Sequence, residues 1–380
     1  MDARALFRDA FGPGGEIRVA VAPGRVNLIG EHIDYHGLAV LPMALRRAIR
    51  VAFRPRGDSQ IRAASDGYGM REFAWTPVLP PAAPGDWENY LRAAACAIAG
   101  KWGAGRGVDA AIVSDLPPAA GLSSSSALLV AFTLCLLRAN GVAANFEELM
   151  EVLPDGEQFV GTRGGGMDHA ASLASREGCA SLIQFAPLAV RHVPVPPDWA
   201  FLVAHSLTLA EKSGTVRERY NACRAAGAAA LARLGLGSWM VACRERDSWS
   251  AKLEGTERDA FDHVTSEALR VHAAVDAMER RGAEPFGALL LASHESLRDR
   301  LRVSSPALDR LAEAAMASGA LGARLTGAGF GGCAVVFCRR ADLGTVRAGL
   351  IQRYYAGLPE FDETAHLIHA EPGPGALAIV

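Results

Sequence analysis

The chain has 380 residues, half of them apolar and about a fifth charged, which suits a soluble protein of two ordinary domains with ample cores. A formal charge of −2 gives no reason to expect nucleic-acid or anionic-membrane partners. The seven cysteines are odd in number, lack any Cys-x-x-Cys pair and sit mostly in apolar runs, so they read as buried thiols of a reducing compartment. No signal-peptide core opens the chain, and its longest greasy helix candidate, 127–137, is too short to span a bilayer. The expectation is a cytoplasmic protein.

In chain order, alternating apolar residues at 17–21 predict a strand that stops at Pro23-Gly24. A polar stretch follows, with Arg25, Asn27, Glu31, His32, Asp34, Tyr35 and His36, before a second apolar segment at 38–45. Alternating runs at 48–53, 60–64 and 71–75 predict an antiparallel strand layer. After a Pro-rich break at 77–84 come a helix at 86–101 and a strand at 108–114. Strands at 179–185 and 190–195 precede a loosely placed division into domains 1–190 and 191–380. The second half reads as helices near 215–234, 257–281, 286–301 and 306–318, a Gly-rich turn, a strand at 333–338, a helix at 341–355 and a last strand near 365–370.

Acids, bases and a fixed cation between two apolar strands suit a polar, uncharged ligand, because hydroxyl groups need both donors and acceptors. Each residue taken singly also reads as a turn former or salt-bridge partner. His32 and His36 are spaced four apart beside two acids, a metal-like pattern, but Gly30 and Gly37 argue against a helix aligning both rings.

Residues 115–128, Asp-Leu-Pro-Pro-Ala-Ala-Gly-Leu-Ser-Ser-Ser-Ser-Ala-Leu, lie between a strand and a helix that is apolar on all sides until Arg138. Unpaired N–H groups and the helix dipole there favour an anion such as a triphosphate. The competing reading is that Ser123 or Ser124 caps a core helix. No Gly-x-x-x-x-Gly-Lys-Ser/Thr string occurs. Further on, Gly164-Gly165-Gly166-Met167-Asp168-His169 lets the chain approach a ligand closely and places Asp168 as either a helix cap or a catalyst. Gly327-Ala328-Gly329-Phe330-Gly331-Gly332 fits a dinucleotide fingerprint in letters only, since a strand follows where a helix should open.

The string Pro-Gly-Arg-Val-Asn-Leu-Ile-Gly-Glu-His-Ile-Asp-Tyr at 23–35 closely resembles the sugar-binding signature of galactokinases, within the GHMP family of small-molecule kinases. The serine-rich turn is similar to that family's nucleotide motif, and residues 324–333 resemble its third, Gly-rich motif. Ser293-His294-Glu295-Ser296-Leu297-Arg298 resembles a further galactokinase stretch. The resemblance spans nearly the whole chain from about Phe7. It implies a two-domain α+β GHMP kinase fold with the active site in the interdomain cleft. It also implies transfer of phosphate from ATP, with Mg²⁺, to the C1 hydroxyl of galactose by a monomer.

The resemblance makes Asp168 the catalytic base and Arg25 its partner, with Glu31, His32, Asp34, Gly165 and Tyr220 at the sugar. It assigns Pro117, Gly121, Leu122, Ser123, Ser124, Ser125, Ser126 and Gly329 to the nucleotide, and Ser124, Ser125 and Glu157 to the metal. His169 departs from the Gln usual in the family, and Tyr220 reads equally as a core residue. Two alternatives stay open: an N-acetylgalactosamine kinase, and a catalytically silent sugar sensor.

Overall fold

A computed structural model describes residues 2–117, 121–159, 164–208 and 215–379, with the backbone alone at 157, 158 and 215. The first half comprises α1 (Ala3–Phe11), β1 (Arg18–Ile29), β2 (Leu41–Pro55), β3 (Gln60–Ser65), β4 (Gly69–Ala74), α2 (Glu88–Trp102), β5 (Val108–Ser114), α3 (Ser124–Ala139), α4 (Phe146–Phe159), α5 (Met167–Ala174), β6 (Cys179–Phe185) and β7 (Leu188–Pro194). The second comprises β8 (Trp199–His205), α6 (Thr215–Arg233), α7 (Trp239–Arg244), α8 (Arg246–Ser250), α9 (Gly255–Glu279), α10 (Ala283–Asp299), α11 (Pro306–Ala317), β9 (Gly322–Thr326), β10 (Cys333–Arg339), α12 (Leu343–Leu350), α13 (Glu363–His366) and β11 (Leu367–His369).

Five strands form one sheet in the order β1-β2-β5-β3-β4, and four form another in the order β11-β8-β10-β9. The expected antiparallel layer needs a correction, because β3 pairs parallel with β5. The chain crosses from β4 to β5 through α2, and a helical crossover is what allows a parallel neighbour. The expected stop at Pro23-Gly24 also gives way. There β1 runs on to Ile29, its register against β2 shifting between Pro23 and Arg25 and again between Asn27 and Ile29. Such an irregularity accommodates a proline that cannot donate to the ladder. Gly24 is needed at the same place, since a Cβ there would lie 2.8 Å from the Leu122 carbonyl oxygen.

Helix α3 is buried on all sides from Ser126 to Leu137, as its unbroken apolar sequence requires. It packs on β1, β2, α2 and α5 and so gives the serine-rich turn a rigid base. One core runs from the five-stranded sheet through α3 to α9 and to Phe286 and Phe337; a second lies under α11 and α12. The division expected at residue 190 falls inside β7, whose hairpin partner β6 is bridged at Ile183 to Val40, the residue before β2. The chain end returns to the first half, where Gly373 N–H donates to the Ala44 carbonyl and Ala376 N–H to that of Ser172.

Three further expectations change. Residues 341–355 are not one helix but a 3-10 turn, α12 and a π-helical turn. Cys96, Cys223 and Cys243 are half-buried rather than buried, although all seven cysteines are free thiols. Strands β8 and β9, absent from the sequence reading, are buried along their whole length. Among the described residues, no helix is long and apolar enough to cross a membrane.

Candidate active site

The bulged end of β1, the serine-rich turn and the start of α5 meet in one cleft. Gly166, in a left-handed conformation at φ 97°, turns the chain into α5 and sets Asp168 in its first turn. Arg25 Nε donates to Asp168 Oδ1 at 2.7 Å, and Nη2 lies 2.6 Å from the same oxygen. The third nitrogen, Nη1, donates to the Gly121 carbonyl at 2.7 Å. Burial alone would weaken the charge on Arg25, but Asp168, Glu31 and Asp34 outweigh it and raise its pKa. The Arg25 guanidinium is therefore fixed and charged. Asp168 keeps 16 % of its side chain exposed, on the cleft side.

Ser123 sits in the left-handed region at φ 56° immediately before α3 and makes no side-chain cap to that helix. Its hydroxyl donates to Asp168 Oδ2 instead, with the Ser126 hydroxyl at 3.4 Å from the same oxygen. Ser124 and Ser125 remain partly exposed in the first turn of α3. Ser123 thus places no side-chain cap on the first turn of α3, the kind of position where a helix N-terminus can take an anion.

Asp34 accepts the Gly165 N–H at 3.1 Å. A Cβ at Gly165 would come within 2.3 Å of the Asp34–Tyr35 backbone, so this contact exists only with glycine. Burial, reinforced by Asp168 and Glu31, pushes the Asp34 carboxyl up to about 7. Glu31 accepts from Asn27 Nδ2 at 2.8 Å and from the Gly327 N–H at 2.5 Å. It therefore ties β1 to the third Gly-rich turn while still lining the cleft. His32 has Nδ1 2.9 Å from the Tyr35 hydroxyl and Nε2 3.1 Å from the Ala328 carbonyl oxygen; burial holds it neutral, its pKa lowered to about 3. Tyr220 reaches in from α6 and packs on the rings of His32 and Tyr35, so it is both cleft wall and packing residue.

The cleft is narrow, leaving about 60 Å³ through which the centre of a water molecule can move. It brings together Arg25, Glu31, His32, Asp34, Gly165, Asp168 and Tyr220, as expected from the signatures. The two Gly-rich turns meet directly, since a Cβ on Gly121 would lie 3.2 Å from the Thr326 carbonyl oxygen and one on Gly327 would lie 3.1 Å from that of Gly121. Gly329 faces the Val303 carbonyl oxygen, which a Cβ would approach to 2.2 Å. Leu122 is buried, and its carbonyl accepts the Arg25 N–H. Pro117 is half-buried, His169 is buried at the cleft wall, and the Glu157 side chain lies outside the described residues. Val216 and Arg217 line the cleft without having been singled out in the sequence; an exposed arginine on a helix carries no signal of its own.

A family model described as the galactokinase galactose-binding signature matches residues 5–55. Models of the GHMP kinase N-terminal and C-terminal domains match residues 89–176 and 274–356. The chain is 36 % identical to a galactokinase of Roseiflexus sp. over 93 % of its own length and 91 % of that protein. The chain belongs to the galactokinase family. It is also 35 % identical to the human galactokinase, with 95 % of this chain and 93 % of that one covered. Its fold superposes on Lactococcus lactis galactokinase complexed with galactose at a TM-score of 0.89, with 28 % identity and 97 % of both chains covered. Mevalonate kinase of Methanococcus jannaschii, at 17 % identity and a TM-score of 0.65, shares the fold alone, over 95 % of this chain and 100 % of that one.

Proposed function

We propose that the chain transfers the γ-phosphoryl group of ATP to the C1 hydroxyl of α-D-galactose, giving galactose 1-phosphate and ADP. The observation that carries this reading is the convergence, in one cleft, of an arginine-held Asp168, the Asp34–Gly165 contact and the uncapped start of α3. Asp168 orients the C1 hydroxyl and takes its proton as the new O–P bond forms and the bond to the ADP oxygen breaks. Arg25 fixes the Asp168 carboxylate in place and opposes the negative charge that grows on the transferred group. Ser123 holds the second carboxylate oxygen, leaving one orientation for the base.

ATP enters as its magnesium complex. The partly exposed hydroxyls of Ser124 and Ser125 are hard oxygen donors that fit the few protein ligands Mg²⁺ takes beside phosphates and water. When bound, the ion offsets phosphate charge. Glu31, His32 and Asp34 meet the sugar hydroxyls, Asp34 the axial one at C4. The N-acetylgalactosamine kinase and silent-sensor readings find no support among these relatives. The protein acts as a monomer in the cytoplasm on this reading, and light scattering on the purified protein checks the oligomeric state.

The test is a sugar panel with purified protein, ATP and magnesium, read as ADP release. Galactose should have the highest kcat/KM. Glucose, which differs at C4 alone, should be poor, because the wrong hydroxyl leaves buried polar groups unpaired. A higher kcat/KM for N-acetylgalactosamine overturns the assignment.

A further inference from the structure

Behind the sugar loop lie buried polar side chains that the transfer step does not use. Glu267 and His263, one turn apart on α9, have no exposed surface, and neither has Ser293 on α10. Glu267 Oε1 accepts the Gly30 N–H at 2.9 Å and the Ser293 hydroxyl at 2.7 Å, while Arg270 Nε donates to Oε2 at 2.7 Å. His263 Nε2 lies 3.0 Å from the Glu31 carbonyl oxygen. A carbonyl can only accept, so Nε2 carries the proton and Nδ1 accepts from the Ser296 hydroxyl at 2.9 Å. Both serines belong to the 293–298 stretch singled out in the sequence, for which the transfer chemistry gives no use.

The loop is seated on α9 itself. A Cβ on Gly30 would lie 3.0 Å from Val271 Cγ2 and from Val40 Cα. Two residues on, His32 adopts a left-handed backbone at φ 61°. A residue with a side chain keeps that conformation only where its surroundings over-determine it. The anchors on the Gly30 N–H and the Glu31 carbonyl fix the chain leading into it.

We propose that Glu267 and His263, each held by a serine of α10, are positioning residues that clamp the backbone of residues 30–32 for sugar binding. This deepens the galactose reading and rests on it. Both groups keep one protonation state around neutral pH. Burial lowers His263 to about 4, whereas burial would raise Glu267, but Arg270, His263 and Arg324 outweigh it and hold it at about 2.

The test compares Glu267→Gln and Ser293→Ala with the wild type, all as full chains. Removing the charge that strengthens the Gly30 N–H bond, or the Ser293 hydroxyl that holds Glu267, should raise the galactose KM by about tenfold or more, leaving ATP KM and kcat within about twofold. The rise in Tm produced by galactose should shrink, and that produced by MgATP should persist. An unchanged galactose KM in a folded variant overturns the clamp, as does a joint rise of both KM values, which marks a merely structural role. If Glu267→Gln does not fold, Ser293→Ala decides by the same criteria. Wild-type protein with no activity on galactose sinks the functional reading and the clamp together; active wild type with unmoved variants sinks the clamp alone.

Discussion

Asp34 offers a pH experiment whose sign and size follow from its surroundings. Its carboxyl is buried, stands near Asp168 and Glu31, and is raised from an ordinary 3.8 to about 7. The folded protein therefore binds this proton more tightly than the unfolded chain does, so stability falls as pH rises between those two values. The contribution is complete below about pH 4 and lost once pH has passed through 7. Integrating the linkage relation, the folded state of the wild type should lose roughly 2 kcal/mol between about pH 5.5 and about pH 8 from this group alone.

Asp34→Asn does not titrate, yet its amide oxygen can still accept the Gly165 N–H. Urea unfolding of both proteins without ligand isolates Asp34, because the other titrating groups are common to the two. The stability of the variant relative to the wild type should rise across that interval and level off above about pH 8. A difference independent of pH would show that Asp34 ionises normally and would refute the electrostatic picture of the cleft. With galactose the order should reverse, since the variant cannot offer a carboxylate to the sugar.

Asp168→Asn should lower kcat by roughly 10²–10⁴-fold while galactose and ATP still bind, measured by steady-state kinetics and calorimetry; near-normal turnover would remove Asp168 from the mechanism. Ser124→Ala with Ser125→Ala should raise the KM for MgATP and leave galactose binding without nucleotide unchanged, whereas an early cooperative melt would return these serines to a structural role. Gly121→Ala places a Cβ 3.2 Å from the Thr326 oxygen at a backbone φ of 75°. It should cost about 1 kcal/mol or more by denaturant unfolding and weaken MgATP together with it.

Local pattern determined a good deal here. Alternation or burial gave β5 and β6 to the residue, and the all-apolar run after the serine-rich turn gave α3 and its position in the core. Strings with several polar groups at fixed spacing pointed to Arg25, Glu31, Asp34 and Asp168, and the cleft does gather them. What stayed hidden depended on neighbours distant in sequence. Buried on both faces, β8 and β9 show no alternation to detect. The strand through Pro23-Gly24 continues because β2 accommodates an irregularity there, a fact about the partner strand. Tertiary packing alone decided that Ser123 serves Asp168 rather than capping its own helix, 45 residues separating the pair. The same holds for Glu267, an ordinary-looking helical glutamate until the fold lays Gly30 against it across 237 residues. Sequence fixes which groups are available and what each helix or strand prefers; only the folded chain sets which donor faces which acceptor away from water, and that pairing tunes the charge and orientation of the cleft.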